Sequence, residues 1–283
     1  MNTTSNGIQA ARIHKYRSPL LIEDVQKPSV ASPEGVLVRV GAAGLCHSDL
    51  HLINGDWQKS LPLSLPKTPG HEIAGRIEEI GSMVPENVFH KGDLVAIFGG
   101  WGCGFCPYCK KGDEEMCLMP KWPGLSQYDG GFSEFVLVPS YKFLVKVEPS
   151  SGLKPEEIAP LTDAGLTPYR AVKKVRHLLA PGKNIAIIGI GGLGSYAIQY
   201  ANILGSGANV IALDLSQDKL DLALDVGANS IIKIDKDGNV KEEIDRVTKG
   251  DGFDVVLDTV SLESTLSLAV NNLRRNGALV VIG

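Results

Sequence analysis

The stretch NIAIIGIGGLG, residues 184–194, is the strongest indication of the fold of the second half of the chain. An apolar run typical of a strand leads directly into the pattern G-x-G-x-x-G, and the residues that follow favour a helix. The residues of the turn are Gly189, Gly191, Gly192, Leu193 and Gly194. Glycines here permit a tight turn and close approach to a pyrophosphate, while the helix N-terminus offers free N–H groups to the anion. The stretch predicts a dinucleotide-binding turn.

An acidic residue stands where such a turn requires one. Asp214 ends a second predicted strand, 20 residues after Gly194. A carboxylate at this place accepts hydrogen bonds from the hydroxyls of an adenosine ribose and repels a 2′-phosphate. We therefore expect NAD rather than NADP. The alternative is a glycine-rich turn that only packs a helix on a sheet, with Asp214 as a turn former.

Apolar runs alternate with helical stretches from about residue 166 onward, which is typical of a parallel sheet. The predicted strands are 184–189, 209–214, 230–234, 254–258 and 278–282. The predicted helices are 195–205, 216–226, a short one around 240–247, and 261–276, with Ser261 as its cap and Gly277 just past its end. A further helix over 164–180, interrupted near Pro168, joins the two halves.

The first half of the chain is broken by glycine or proline every few residues. Its short β-rich runs are 36–40, 73–80, 93–98 and 134–138. This spacing predicts an irregular β domain. We place the boundary so that the β-rich domain covers residues 1–165 and the dinucleotide-binding domain covers residues 166–283.

The composition excludes several classes of partner. The 283 residues include 28 basic and 32 acidic side chains, a net charge of −4. Nucleic acid needs a basic face, so it is not expected as a partner. No run reaches the roughly 18 apolar residues of a membrane span, and residues 1–18 lack the apolar core of a secretory signal. We expect a cytoplasmic protein with reduced cysteines.

Four of the five cysteines lie within 15 residues. They are Cys103, Cys106, Cys109 and Cys117, spaced C-x2-C-x2-C-x7-C. Four thiolates on a loop that curls at glycine and proline can form a tetrahedron around Zn²⁺. A closed site leaves no position for substrate, so we predict a structural zinc. The spacing alone leaves an iron–sulfur cluster, free thiols and a zinc-stabilised binding module open.

The fifth cysteine lies in GLCHSDLH, residues 44–51, and PGHE, residues 69–72, follows it. Further along come the four cysteines, then LTDAG at residues 161–165, then the glycine-rich turn. In this order and spacing, these segments resemble the zinc-dependent medium-chain alcohol dehydrogenases over the whole chain. The resemblance implies a GroES-like catalytic domain followed by a doubly wound Rossmann domain.

The resemblance also implies a catalytic zinc held by Cys46, His71 and Asp163. Many family members carry cysteine at the third position, but a carboxylate oxygen is also an acceptable zinc ligand. With the structural site, two zinc ions per chain are expected. A zinc with an open position acidifies an alcohol or polarises a carbonyl, and NAD carries the hydride.

Other roles follow from the same resemblance. Ser48 takes the substrate proton and passes it through the cofactor ribose to His51, while Glu72 tunes the metal and Asp49 orients His71. His47 contacts the pyrophosphate, Thr167 the nicotinamide, Lys219 the adenosine ribose, and Trp57 narrows the substrate cleft. From the residues alone, Ser48 is alternatively a turn hydroxyl, His51 a surface histidine and Lys219 a solvated helix charge. Asp49 and Glu72 are alternatively buried ion-pair partners.

The implied function is a dehydrogenase that acts on an alcohol and its aldehyde or ketone, as a homodimer or homotetramer. A polyol or amino-alcohol dehydrogenase of the same family is the alternative, and an inactive NAD-binding or zinc-binding scaffold is a more distant one. A complete sheet of this type has six strands in the order 3-2-1-4-5-6. We therefore expect a chain truncated at its C-terminus by about 60 residues, which would contain the sixth strand and a return segment. Strand five would then be an apolar edge.

Overall fold

The computed structural model describes residues 7–235 and 240–283. The chain divides into two units, the first ending at Asp163 and the second starting at Ala164. This division lies within two residues of the boundary predicted at residue 165.

The first unit is rich in β-structure. Its strands are β1 (Gly7–Arg12), β2 (Leu21–Gln26), β3 (Val36–Gly44), β4 (Glu72–Ile80), β5 (Leu94–Ile97), β6 (Phe135–Val138) and β7 (Leu144–Lys146). Its helices are α1 (His47–Asn54) and α2 (Pro155–Ile158), with short 3₁₀ turns at Cys109–Lys111, Glu114–Met116, Tyr141–Phe143, Pro149–Ser151 and Ala159–Thr162. The central sheet is antiparallel, in the order β6-β3-β4-β5-β7, and β1 pairs with β2 separately.

The pairing of β3 with β4 builds the edge on which the predicted ligands Cys46 and His71 lie. Gly44, the last residue of β3, is opposite Glu72, the first residue of β4. Helix α1 begins three residues after Gly44, and His71 directly precedes β4. The chain therefore brings two distant segments, around Cys46 and His71, to one edge of the sheet. Below that edge lies the core of the unit, formed by Val36, Val38, Ile73, Ile77, Val95, Ile97 and Trp101, among others.

The second unit is a parallel sheet with helices on both faces. Its strands are β8 (Asn184–Ile188), β9 (Asn209–Asp214), β10 (Ser230–Lys233), β11 (Phe253–Asp258) and β12 (Leu273–Val281). Its helices are α3 (Leu166–Val175), α4 (Gly192–Leu204), α5 (Gln217–Asp225), α6 (Lys241–Thr248) and α7 (Glu263–Asn272), with a 3₁₀ turn at Arg176–Leu178. Strands β8 and β11 are buried throughout, because helices cover the sheet on both sides.

The strand order is β10-β9-β8-β11-β12, all parallel, which is the predicted order 3-2-1-4-5. Among the residues that the structure describes, β12 pairs only with β11 and forms one edge of the sheet. The predicted α/β class, a GroES-like β-rich domain plus a Rossmann sheet, is confirmed.

The helix predicted over 261–276 is wrong at both ends. Helix α7 begins after Leu262, not Ser261, whose φ of 59° is left-handed. The carboxylate of Asp258 accepts the N–H groups of Val260 and Ser261 instead. The helix ends at Asn272, and Gly277 lies inside β12. The helical spacing of apolar residues extends to Leu273. The segment from Leu273 nevertheless forms a strand, because it pairs with β11.

The predicted interruption at Pro168 is also wrong. Pro168 lies in the first turn of α3. Backbone N–H groups in the first turn have no acceptor within the helix, so a proline, which lacks this N–H, does not interrupt the helix there. The helix ends at Val175 and gives way to the 3₁₀ turn, so it is shorter than the predicted range 164–180. Helix α4, in contrast, begins three residues earlier than predicted, directly on the glycine motif.

Gly194 is a position where only glycine fits. An added Cβ would lie 2.0 Å from the carbonyl oxygen of Gly189. Gly194→Ala should lower the free energy of unfolding by about 1–3 kcal/mol, since the strand and helix must move apart. Urea denaturation measures the loss. Gly191→Ala is the matched control, because a Cβ at Gly191 meets nothing within 4 Å and its φ is −100°. An equal loss in both variants would contradict the packing argument.

Candidate metal centres and cofactor site

Cys46, His71 and Asp163 come together in the first unit. Their ligand atoms all lie within 4.8 Å of one another. Asp163 Oδ2 is 3.2 Å from His71 Nε2 and 3.6 Å from Cys46 Sγ. Ligands of a tetrahedral zinc, at about 2.0–2.3 Å from the ion, are separated by about 3.3–3.8 Å. These three side chains therefore have the separations of a zinc ligand set.

Three separate segments supply this set. Cys46 is the N-cap of α1, and His71 directly precedes β4. Asp163 follows the 3₁₀ turn Ala159–Thr162, whose last residue fixes the turn against β4. The Thr162 hydroxyl accepts the N–H of Ile73 at 3.2 Å and donates to the Ala159 carbonyl at 2.8 Å.

Asp49 connects two of these segments. Its side chain is fully buried, and it accepts the N–H of Cys46 at 3.0 Å and that of Gly70 at 3.1 Å. Its Oδ1 also lies 3.5 Å from His71 Nδ1, an ion-pair distance rather than a well-formed hydrogen bond. The ring of His71 therefore points Nε2 toward the other ligands and Nδ1 toward Asp49. A carboxylate behind a ligating histidine orients the ring and raises its basicity.

His71 titrates far from its ordinary range. Burial acts to lower its pKa, but the facing carboxylates of Asp163 and Asp49 and the Cys46 sulfur outweigh burial and raise the pKa to about 12. The surroundings of the ring thus favour a positive charge. A metal ion meets the same requirement, because it replaces the proton on the ligating nitrogen.

Glu72 lies next to this group. It is 4% exposed, and a Cβ added at Gly44 would fall 1.9 Å from its Oε2. The carboxylate therefore lies against the backbone two residues before Cys46, and glycine at position 44 makes room for it.

The four clustered cysteines also converge. Their sulfurs lie within 4.8 Å of one another, with Cys109 Sγ 3.5 Å from Cys106 Sγ and 3.9 Å from Cys103 Sγ. The ideal separation in a tetrahedral zinc–thiolate site is about 3.8 Å. Such short separations fit a single ion better than a cluster whose sulfurs bind different irons.

Backbone N–H groups point at these sulfurs. Cys117 Sγ accepts from Cys103 N at 3.2 Å and from Met119 N at 3.3 Å. N–H groups of Cys109 and Leu118 lower the pKa of Cys106 to about 6, whereas burial raises that of Cys109 to about 12. Amide donors stabilise thiolates, and a buried group of thiolates needs a cation. The donor set therefore fits zinc.

Helix α1 carries the predicted proton-transfer residues. The Ser48 hydroxyl lies 3.7 Å from Cys46 Sγ, and His51 follows one helical turn later on the same face. His47 meets the His51 ring edge-on at 4.8 Å, and Trp57 stacks on it at 4.9 Å. Ser48, His51 and Trp57 are half-buried, and His47 is exposed.

The second unit carries the remaining predicted residues. Asp214 is 7% exposed, and its carboxylate accepts the N–H of Ile190 at 2.7 Å and that of Ser216 at 2.9 Å. Lys219 Nζ lies 3.8 Å from Asp214 Oδ2. Thr167 is half-buried in the first turn of α3. Asp214 thus holds the start of the glycine turn, as the turn-former alternative predicts, and its role toward a ribose stays a prediction.

Sequence reasoning missed two contributors to the first-unit sites. Thr162 anchors the turn that carries the candidate ligand Asp163. Its signal in the sequence was a hydroxyl directly before that candidate ligand. Asp56 lies 2.8 Å from His51 Nδ1. Its signal was an acid five residues after a histidine at the end of a short helix.

A β-rich unit with two convergent ligand sets, followed by a parallel sheet with a glycine-rich turn and an acid at the end of the second strand, defines a zinc-binding oxidoreductase. The family model described as alcohol dehydrogenase GroES-like domain matches residues 32–149, and that described as zinc-binding dehydrogenase matches residues 192–283. The chain belongs to the zinc-type medium-chain alcohol dehydrogenase family. Within the described ranges, no helix is long and apolar enough to cross a membrane.

Several relatives align over nearly the whole chain. An NAD-dependent alcohol dehydrogenase of Sulfurisphaera tokodaii is 42% identical, with 98% of this chain and 78% of the relative covered. An alcohol dehydrogenase of Geobacillus stearothermophilus is 37% identical, with 98% and 77% covered. The crystal structure of an alcohol dehydrogenase from Aeropyrum pernix superposes with a TM-score of 0.88 at 38% identity, with 96% of this chain and 78% of that chain covered.

Proposed function

We propose that the chain oxidises a primary or secondary alcohol to an aldehyde or ketone, and catalyses the reverse, with NAD as hydride carrier. The observation that carries the proposal is the convergence of Cys46, His71 and Asp163 within 4.8 Å. When bound, zinc supplies a Lewis acid for the alcohol or carbonyl oxygen, and NAD supplies hydride transfer. Relatives named as NAD-dependent alcohol dehydrogenases support the same activity.

Two sets of residues would hold the metals. Cys46, His71 and Asp163 would bind the catalytic zinc, and Asp49 would keep His71 in its ligating orientation. Three protein ligands leave a coordination position for substrate, whereas four do not. The structural zinc would be held by Cys103, Cys106, Cys109 and Cys117. Glu72, packed beside the Cys46 segment, would adjust the charge around the first site.

Ser48 and His51 would move the substrate proton. Ser48 lies beside the ligand Cys46, where its hydroxyl can accept the proton of the substrate hydroxyl. His51, partly exposed one turn further along α1, can release a proton to water. Trp57, stacked on His51, would limit the space for large substrates, which favours small apolar alcohols.

Asp214 would select NAD. His47, Thr167, Lys219 and the glycine turn would bind the rest of the cofactor. Asp214→Asn should raise the preference for NADP over NAD roughly tenfold, because it removes the charge that repels a 2′-phosphate. Asparagine keeps an oxygen that can accept the Ile190 N–H, whereas Asp214→Gly would also release the glycine turn.

The measurement is kcat/KM with each cofactor at fixed alcohol concentration. Asp218→Asn, in the first turn of the following helix, is the matched control. An Asp214→Asn enzyme with unchanged selectivity would exclude the ribose role.

A polyol or sugar is the second candidate substrate. A sorbitol dehydrogenase of Bacillus subtilis is 33% identical, and a D-arabinose 1-dehydrogenase (NADP⁺) of Saccharolobus solfataricus is 35% identical. A substrate panel followed by NADH absorbance, with zinc measured on the same sample, separates these options. Small primary and secondary alcohols should give the highest kcat/KM. A preference for polyols, or no turnover with two zinc ions bound, would contradict the proposal.

Assembly and location are part of the proposal. We expect a homodimer or homotetramer, measurable by light scattering. We also expect a cytoplasmic location, supported by five cysteines without a disulfide, since both ligand sets require reduced thiols.

A further inference from the structure

We propose that Asp56 is a positioning residue that sets the tautomer of His51. By holding Nδ1, it would leave Nε2 as the ring nitrogen that exchanges a proton. The consequence for turnover rests on the proposed function, in which His51 passes the substrate proton to water. The tautomer itself can be measured without any substrate.

The contact is short and has local support. Asp56 Oδ2 lies 2.8 Å from His51 Nδ1, and the Asp56 N–H also donates to the His51 carbonyl at 3.0 Å. Both a main-chain and a side-chain bond therefore join these residues. The side chains are 36% and 46% exposed, so Nδ1 is engaged by the carboxylate while the ring keeps access to water.

The end of α1 explains why Asp56 reaches back. Gly55 caps the helix with φ of 74°, in the left-handed region, and its N–H bonds to the last turn. An added Cβ would lie 2.9 Å from the ring of Tyr16, so glycine is required by both conformation and space. The reversal at Gly55 brings Asp56 and Trp57 back against His51.

Three neighbours hold the imidazole in one orientation. Trp57 stacks on it with an interplanar angle of 29°, and His47 meets it edge-on at 68°. Asp56 Oδ2 holds one ring nitrogen, Nδ1, at 2.8 Å. Among the described contacts of His51, the titratable partners are His47 on α1 and Asp56 on the turn after it.

The chemistry follows from what a carboxylate can do. An ionised aspartate only accepts hydrogen bonds, so the contact requires the proton on Nδ1. In the neutral ring, Nε2 then keeps its lone pair and can take up a proton, which it later gives to water. In the serine protease triad, an aspartate fixes the histidine tautomer in the same way, and Asp→Asn exchange leaves the geometry but reverses the tautomer.

The first experiment is nitrogen NMR of the folded chain labelled with ¹⁵N-histidine, with His51→Gln to assign the signal. We expect a neutral ring protonated on Nδ1. In Asp56→Asn, the amide can donate to Nδ1, so the signal should change to the Nε2-protonated form. Glu86→Gln, an exposed carboxylate exchange in the same unit, should change nothing. A ring protonated on Nε2 in the unsubstituted protein, or an unchanged tautomer in Asp56→Asn, would overturn the proposal.

The second experiment is steady-state kinetics of the zinc-loaded enzyme. Asp56→Asn should lower kcat about three- to tenfold with a nearly unchanged KM, less than in a buried triad because this pair is partly solvated. A general structural defect would alter KM and thermal stability together. If His51→Gln turns over normally while the tautomer depends on Asp56, the relay in the proposed function is wrong and the assignment to Asp56 stands.

Discussion

Replacing Cys46 by alanine should reduce the zinc content from two ions to one per chain and lower kcat at least about 10³-fold. Among the described residues, Cys46 is one of three side chains whose ligand atoms converge on this site, with its sulfur 3.6 Å from Asp163 Oδ2. A site with two remaining protein ligands would bind zinc weakly, and the Lewis acid that a bound zinc would supply lowers the barrier by several kcal/mol. A factor of 10³ corresponds to about 4 kcal/mol.

Metal analysis and NADH absorbance on one sample measure both effects. Cys103→Ala is the matched control, since it removes a thiolate from the other site. Cys103→Ala should also retain one zinc ion per chain, in this case the catalytic one. The folded fraction of this variant should therefore keep the kcat of the parent per bound zinc. Two zinc ions, or undiminished turnover, in Cys46→Ala would disprove the assignment of the catalytic site.

Replacing Cys109 by serine should lower the melting temperature by more than about 10 °C and release one zinc. Cys109 is 8% exposed, and its sulfur lies 3.5 Å from that of Cys106 and 3.9 Å from that of Cys103. A structural zinc contributes on the order of 10 kcal/mol of apparent binding free energy. In a chain of this size, each kcal/mol of lost stability lowers the melting temperature by about 2–4 °C. The loss of even a few kcal/mol therefore produces a drop of about 10 °C.

Calorimetry with and without a chelator checks this result. In the parent protein, the chelator should lower the melting temperature by a similar amount. In Cys109→Ser, the chelator should lower the melting temperature little further. Met119→Ser is the control, because Met119 is 51% exposed and its N–H to Cys117 is retained. A melting temperature that stays within 2 °C of the parent would show that the four thiols do not hold a structural metal.

Local patterns in the sequence predicted the parts of this protein that depend on neighbouring residues. The turn at residues 189–194 and the group of four cysteines each lie within a short segment, so their spacing already limits their geometry. The apolar runs likewise predicted five parallel strands, and the fold type indicated by the glycine turn predicted their order. These features need little information from the rest of the chain.

Contacts between distant segments could not be predicted in this way. The spacing of residues 261–276 favours a helix, yet the segment from Leu273 pairs with β11 and becomes a strand. Similarly, the support that Thr162 gives to Asp163 depends on the N–H of Ile73, 89 residues away. Local propensity differences are small compared with the burial and pairing of a strand.

The class of this protein could be predicted from the amino-acid sequence, because the glycine turn, the cysteine spacing and the segments around Cys46 and His71 are local chemical patterns. How the candidate ligands are positioned depends on the tertiary structure. It brings residues 46, 71 and 163 within 4.8 Å, buries Asp49 behind His71, and directs Asp56 to His51. Hydrogen bonds and metal coordination act over about 2–4 Å, and only the packing of the folded chain sets distances on that scale.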